Sequence, residues 1–374
     1  MVVCYIWYEG EKMQKLPLDE VKRRLKAVRK NMREEGLDGV LVTETTDVGY
    51  LCGHEHEGIQ LLVTPRSQYL TTTHRGIQRA QERSVGFAII DPKEQPQMLK
   101  PCLKKHKVQT LGINSEMSHA KFLDFQKRMR PVRLKPSKAV TSAREIKSPL
   151  EIRRLQKAQR IAEGVFDNFC KEIKPGLSEF HLHNRLLQLI LANETVEGPS
   201  FDPIVSSGRS SWTFHSRYTD RKLSKNDCII IDMGVRYQGY CSDMTRTVFL
   251  GKPTKKMQEV YEIVHEALDL AIGAIRSGVM GGDVAKIAWG FIEKKGYDQT
   301  HGLGHGLGMA THDYPLPGLS VVNKKPLQED MVLTVEPGIY LKEGFGIRIE
   351  DTVVVTKKGC RNITKANKEL TVVG

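Results

Sequence analysis

The chain has 374 residues, 40% hydrophobic and 7% aromatic, a globular composition that excludes a disordered or fibrous protein. No apolar run approaches the roughly 18 residues that span a bilayer, and the N-terminus MVVCYIWYEGEK lacks a basic n-region and is interrupted at Glu9, so neither a membrane anchor nor a secretory signal is predicted. Seven scattered cysteines with no C-x-x-C pair point to reduced thiols and a cytoplasmic setting. The net charge of +13 raises the question of nucleic acid. Its densest run, VKRRLKAVRKNMR (21–33), carries Val21, Leu25, Val28 and Met32 at helical spacing, so its cations read as the solvated face of an amphipathic helix. Neither a nucleic-acid nor a membrane partner is expected.

In chain order, the first predicted element is the helix DEVKRRLKAVRKNMREEG, which ends at Gly36 and feeds the apolar strand GVLVTE. QYLTTT, VGFAIID and VQTLGIN read as further strands separated by polar helical stretches, so residues 1–142 form a small α/β domain. The boundary AREIKSPLEIRR (143–154) contains a helix start, with Ser148 as N-cap, Pro149 at N1 and Glu151 at N3 of a capping box. Residues 143–374 form the second domain. It carries a faint duplication: a helix ending in Ile173-Lys174-Pro175-Gly176 and another ending in Ile275-Arg276-Ser277-Gly278 are each followed by a second helix, at an offset of 278 − 176 = 102. Each pair precedes a histidine-bearing stretch (His215, then His312) and an apolar hairpin, residues 228–250 and 331–355. Two such halves imply an α+β domain with an approximate twofold axis and a site between them.

The stretch HGLGHGLGMATHD (301–313) spaces His301 and His305 as in H-E-x-x-H, but Gly302 stands where that motif has glutamate. Its glycines would cost a helix about 4 kcal/mol relative to alanine. The stretch is therefore predicted to be extended, with His301 and His305 on one face and a backbone open to close approach. It has no G-K-[ST] ending and no G-x-G-x-x-G turn, so it is not a phosphate loop.

Each hairpin carries a carboxylate on each arm. Asp232 and Asp243 are equidistant from a turn near Tyr237-Gln238, and Glu336 and Glu350 from Glu343, so antiparallel pairing would set each pair face to face. Like charges opposed in apolar strands are destabilising unless a cation lies between them. Two such pairs with one glycine-flanked imidazole suit Mn²⁺, Co²⁺ or Zn²⁺ at a two-metal site.

IIIDMG, YCSDMTRT, HGLGHGLG, TVEPGIY and GIRIED, in this order, resemble the five metal-ligand segments of the pita-bread metallopeptidases, which include methionine aminopeptidase, aminopeptidase P, prolidase and creatinase. The likeness covers about residues 143–374, and RLKAVRKNMREEGLDGVLVTETTDVGYLCG resembles the creatinase-like N-terminal domain of the Xaa-Pro peptidases. The resemblance implies that Asp232 binds one metal, that His305 and Glu336 bind the other, and that Asp243 and Glu350 bridge both. Manganese is the expected metal. Glu336 would also shuttle a proton toward the departing amine, His215 and His312 would face the substrate, and Arg348 would buttress the site. His301 is left without a role. The implied reaction is hydrolysis of the bond between an N-terminal residue and proline, on longer peptides as in aminopeptidase P or, alternatively, on dipeptides as in prolidase. A metal-free creatinase or a non-catalytic binding module on the same fold would be expected to have lost ligands, and all five are present. The family commonly forms homo-oligomers, so a dimer is expected. Asp313, where the family has glutamate, and Trp212-Thr213-Phe214 depart from the pattern and bear on substrate preference.

Overall fold

The computed structural model describes residues 15–93, 99–214, 218–342 and 344–374. The chain divides into two compact units, one of Met13–Arg144 and one that includes Glu145–Gly374. No helix among the described residues is long and apolar enough to cross a membrane.

The first unit is a six-stranded mixed sheet in the order Ala88–Ile90, Gln68–Thr71, Gln60–Val63, Gly39–Val42, Thr110–Asn114, Arg133–Ser137. The helix Leu18–Glu34 buries Val21, Leu25, Val28 and Met32, as its spacing predicts, and Gly36 follows with φ +67°. One of its cations departs from the solvated-face reading: Arg24 is buried, bonded to Glu20 and to the carbonyl of Tyr50. Two strands are not anticipated by the sequence reading, Gln60–Val63 and Arg133–Ser137. The second, RLKPS, contains a proline and two cations, features tolerated because it is an edge strand.

In the second unit the predicted helix start is present in full: Ser148 and Glu151 form a reciprocal capping box with Pro149 in the first turn of Pro149–Cys170. The duplication appears as two helix pairs, Pro149–Cys170 with Glu179–Leu191 and Lys255–Ala274 with Gly281–Lys294. Each half has its own core. Phe169, Leu182, Leu186 and Ile190 pack on Ile229, Ile231 and Val248 of the first hairpin. Val264, Leu268, Trp289 and Ile292 pack on Leu333, Val335, Ile347 and Val353 of the second. The strands form a sheet ordered Thr371–Val373, Met244–Leu250, Cys228–Met233, Ile204–Ser207, and a second ordered Val332–Val335, Asp351–Val355, Cys360–Asn362. The chain is thus a smaller α/β domain followed by an α+β domain built from two like halves.

Candidate metal centre

In the second hairpin, Val335 pairs with Asp351 and Gly338 with Arg348, one register on both sides of Glu336 and Glu350. These two carboxylates are therefore directly opposed, as the spacing predicts. Glu343 lies outside the described residues. The first hairpin corrects the expectation. Its turn is Gln238-Gly239, both at positive φ (47° and 80°), so Tyr237 pairs with Tyr240 and Asp232 faces Thr245, not Asp243. A two-residue turn with two left-handed residues needs a glycine, and Gly239 supplies it. Asp243 sits two positions from Thr245, diagonal to Asp232.

The histidine-rich stretch is extended. Gly304 bridges Leu319, and Gly306 bridges both Asp313 and Leu333. The glycines do permit close approach, but to the protein's own chain: a Cβ would lie 2.0 Å from the Thr334 carbonyl oxygen at Gly304 and 2.4 Å from that of Asp313 at Gly306.

These elements bring Asp243, His305 and Glu350 together, one ligand atom of each within 4.8 Å of the others. His305 Nε2 lies 3.5 Å from Asp243 Oδ2 and 3.6 Å from Glu336 Oε1. His305 Nδ1 is 3.0 Å from the Gly306 carbonyl. A carbonyl only accepts, so Nδ1 carries the proton and the Nε2 lone pair faces the carboxylates. Burial, reinforced by His312, pushes this imidazole down to about 4, so it stays neutral near pH 7. Burial pushes Glu336 up to about 8, and burial followed by the neighbouring carboxylates pushes Asp243 and Glu350 well above the ordinary range. Burial and mutual repulsion make it costly to ionise these acids together, and a cation at the point they share with the neutral lone pair would offset that cost. Asp232 adds to this: its Oδ1 is buried without a hydrogen-bond partner among the described residues. A divalent ion fits this donor set on each count.

Residues 153–357 match metallopeptidase family M24, and residues 24–146 match the creatinase/prolidase N-terminal domain. The chain belongs to metallopeptidase family M24. It is therefore a hydrolase of a family that uses divalent metal ions. A Xaa-Pro dipeptidase of Pyrococcus horikoshii is 31% identical over 94% of this chain and 100% of its own length. Among solved structures, a Xaa-Pro dipeptidase from Bacillus anthracis superposes with a TM-score of 0.88 at 30% identity, covering 94% of this chain and 100% of that one. An X-Pro aminopeptidase from Thermotoga maritima gives 0.84 at 31% identity, covering 92% and 100%.

Around this cluster, Arg348 joins the two hairpins. Its Nη2 donates to Asp232 Oδ2 at 2.6 Å, Nη1 to the Tyr340 hydroxyl at 2.8 Å, and Nε to Thr245 Oγ1 at 3.2 Å. Thr245 Oγ1 in turn donates to Glu350 Oε2 at 2.8 Å, and Thr334 Oγ1 is 3.3 Å from Glu336 Oε1. Thr245, Thr334 and Tyr340 escape the sequence reading because no spacing marks a residue that only supports another; the threonines two positions from Asp243 and Glu336 are the one available signal. His301 stacks on Phe214 with ring centroids 5.2 Å apart, and its Nε2 is 3.2 Å from the Tyr340 hydroxyl. It thus sits behind Tyr340 and Arg348. The exposed His312 ring is 4.2 Å from His305. His215 lies outside the described residues. Asp313 is buried and accepts from the backbone N–H of Met309 and Tyr314, so it shapes the loop that carries His312.

Proposed function

We propose that this enzyme hydrolyses the bond between an N-terminal residue and proline, using two divalent metal ions. Asp232 would hold one, His305 and Glu336 the other, with Asp243 and Glu350 shared between them. The observation that carries the reading is the neutral His305 lone pair 3.5 Å from a buried carboxylate oxygen, with further acids gathered at the same point, a donor set that suits a divalent cation. When bound, the ions supply Lewis acidity and lower the pKa of water at the site. The protein's own groups do the rest. Arg348 holds Asp232 in position, Glu336 moves a proton toward the departing nitrogen, and His312 and His215 donate hydrogen bonds to the substrate carbonyl and the tetrahedral intermediate. Manganese is the proposed metal, with cobalt or zinc as alternatives, on the oxygen-rich donor set.

The preference for proline is supported by the names of the Pyrococcus and Bacillus relatives, which also favour dipeptides, whereas the Thermotoga relative favours aminopeptidase action on longer peptides. The test is hydrolysis of Xaa-Pro and Xaa-Pro-Yaa peptides by the metal-stripped protein after adding Mn²⁺, Co²⁺ or Zn²⁺. Turnover confined to the dipeptide assigns a dipeptidase, and turnover of the tripeptide alone assigns an aminopeptidase. No turnover of either with any of the three ions sinks the proposal.

A further inference from the structure

The segment that opens the helix Pro149–Cys170 contains Lys147, which is 2% exposed. Its ammonium donates to the carbonyl of Tyr314 at 2.5 Å, across 167 positions of sequence, and to that of Glu145 at 3.4 Å. A buried ammonium is costly unless its donors are satisfied, so its contacts strongly constrain what surrounds it. Lys147 is itself held fast. Its backbone N–H donates to the Asp330 carbonyl at 3.0 Å. The next residue, Ser148, opens the capping box with Glu151, whose Oε1 accepts from the Tyr240 hydroxyl at 3.0 Å.

Tyr314 stands two residues beyond His312, and the chain between them is pinned at successive positions. Thr311 Oγ1 donates to the Ser200 carbonyl at 3.1 Å, and the Asp313 N–H donates to the Gly306 carbonyl at 2.8 Å. The Asp313 carboxylate accepts from the N–H of Met309 at 2.9 Å and of Tyr314 at 2.7 Å. Packing leaves no slack, since a Cβ on Gly308 would lie 2.3 Å from Asp313 Oδ2. The His312 imidazole makes no hydrogen bond among the described residues. The ring meets the His305 ring edge-on at 4.2 Å, so its position depends on that contact and on the backbone that carries it, and the Tyr314 carbonyl is a point at which a distant side chain holds that backbone.

We propose that Lys147 is a positioning residue for His312: its ammonium locks the Tyr314 carbonyl and thereby aims the His312 ring at substrate held beside His305. The importance of the aim for catalysis rests on the peptidase reading above; the mechanical tie does not. Lys147→Met keeps the apolar stem and removes the donors, and Lys147→Arg keeps donors in altered geometry. The expected result for Lys147→Met is metal stoichiometry equal to the wild type and KM within about two-fold, with kcat lower by about 10- to 100-fold, the usual penalty for a misaimed group. Lys147→Arg recovers part of that loss. In a His312→Ala background, Lys147→Met costs nothing further; an equal loss there would mean that Lys147 acts on something other than His312 and would overturn the proposal. A second readout is the ¹³C–¹H resonance of the His312 ring in the metal-free protein, assigned by its absence in His312→Ala. It moves in Lys147→Met, and an unmoved resonance overturns the tie. If Lys147→Met does not fold, Lys147→Arg, which alters the hold on the Tyr314 carbonyl, is read by the same cycle and resonance. A wild-type protein that hydrolyses no Xaa-Pro peptide would sink the peptidase reading, while the resonance would still decide the tie.

Discussion

In the second hairpin the ladders on both sides of Glu336 and Glu350 keep one register, and the two carboxylates are opposed across the strands. In the first hairpin the position opposite Asp232 is taken by Thr245, whose hydroxyl reaches out of its own hairpin to Glu350. Asp232 is met instead by Arg348, a residue of the second hairpin. The second hairpin thus opposes its two acids by register, whereas in the first Asp232 is met by a guanidinium from the partner hairpin. The duplicated halves are alike in elements and unlike in how they deliver charge. A pseudo-twofold repeat therefore does not license carrying a pairing from one half to the other.

That comparison can be broken most severely at the two carboxylates proposed to be shared. Asp243→Ala or Glu350→Ala should abolish metal binding and lower kcat/KM by on the order of 10³-fold or more, since metal polarisation supplies several kcal/mol. Metal analysis beside steady-state assays checks this, and full activity in either variant would remove the shared-carboxylate assignment. The cross-hairpin contact comes next. Arg348→Met leaves Asp232 without its guanidinium, and affinity for Mn²⁺ should fall about 10- to 100-fold, the usual cost of losing a group that orients a metal ligand. Calorimetric titration with Mn²⁺ measures it; an unchanged affinity would mean that the first hairpin presents Asp232 unaided.

Removing the metal exposes the difference as a pH dependence. Glu336 is pushed up to about 8 by burial, with Asp243 and Glu350 raised in the same direction. A raised acid holds its proton more tightly in the folded state. Its stabilising contribution is complete below the ordinary carboxylate pKa and is lost as pH rises toward 8. His305, pushed down to about 4, works oppositely, contributing stability above about 6.5 that is lost as pH falls to 4. Between pH 6.5 and 8 only the carboxylates contribute a slope. The Tm of the chelator-treated protein should fall by several degrees across that window, and saturating Mn²⁺ should flatten the profile. A Tm of the chelated protein that rises over the same window would contradict the assignment. The smallest effect belongs to Thr245→Val, which is nearly isosteric and removes the hydroxyl between Glu350 and Arg348. It should cost about 1 kcal/mol in urea unfolding. A loss confined to noise would show that the two hairpins do not depend on this link.

Much of the site is legible in the sequence because its signals are local. Asp232 interrupts CIIID and Glu336 interrupts VLTVE, and a charge inside a buried run announces itself without a structure. His305 is marked by flanking glycines that exclude a helix. The placement of the first turn misleads because Tyr237-Gln238 and Gln238-Gly239 differ by one residue in the sequence, and that shift moves each strand's partner by two. Arg348 is legible as a neighbour of Glu350, but its partners Asp232 and Tyr340 are not. Lys147 is unmarked: it lies in a segment that reads as a boundary, and nothing near it in sequence indicates Tyr314.

The sequence alone determines the identity and order of the acid-bearing segments, the extended glycine stretch, the capping box at Ser148 and the opposed pair in the second hairpin. Each follows from backbone geometry and the residue types within a few positions. Tertiary structure alone decides the partner of Asp232, the seat of His301 behind Tyr340 and the hold of Lys147 on the His312 loop. These contacts join segments roughly 40 to 170 positions apart. The Asp232 and Lys147 contacts depend on how two separately packed halves meet, and the His301 contact on packing within the second half, none of which local periodicity records.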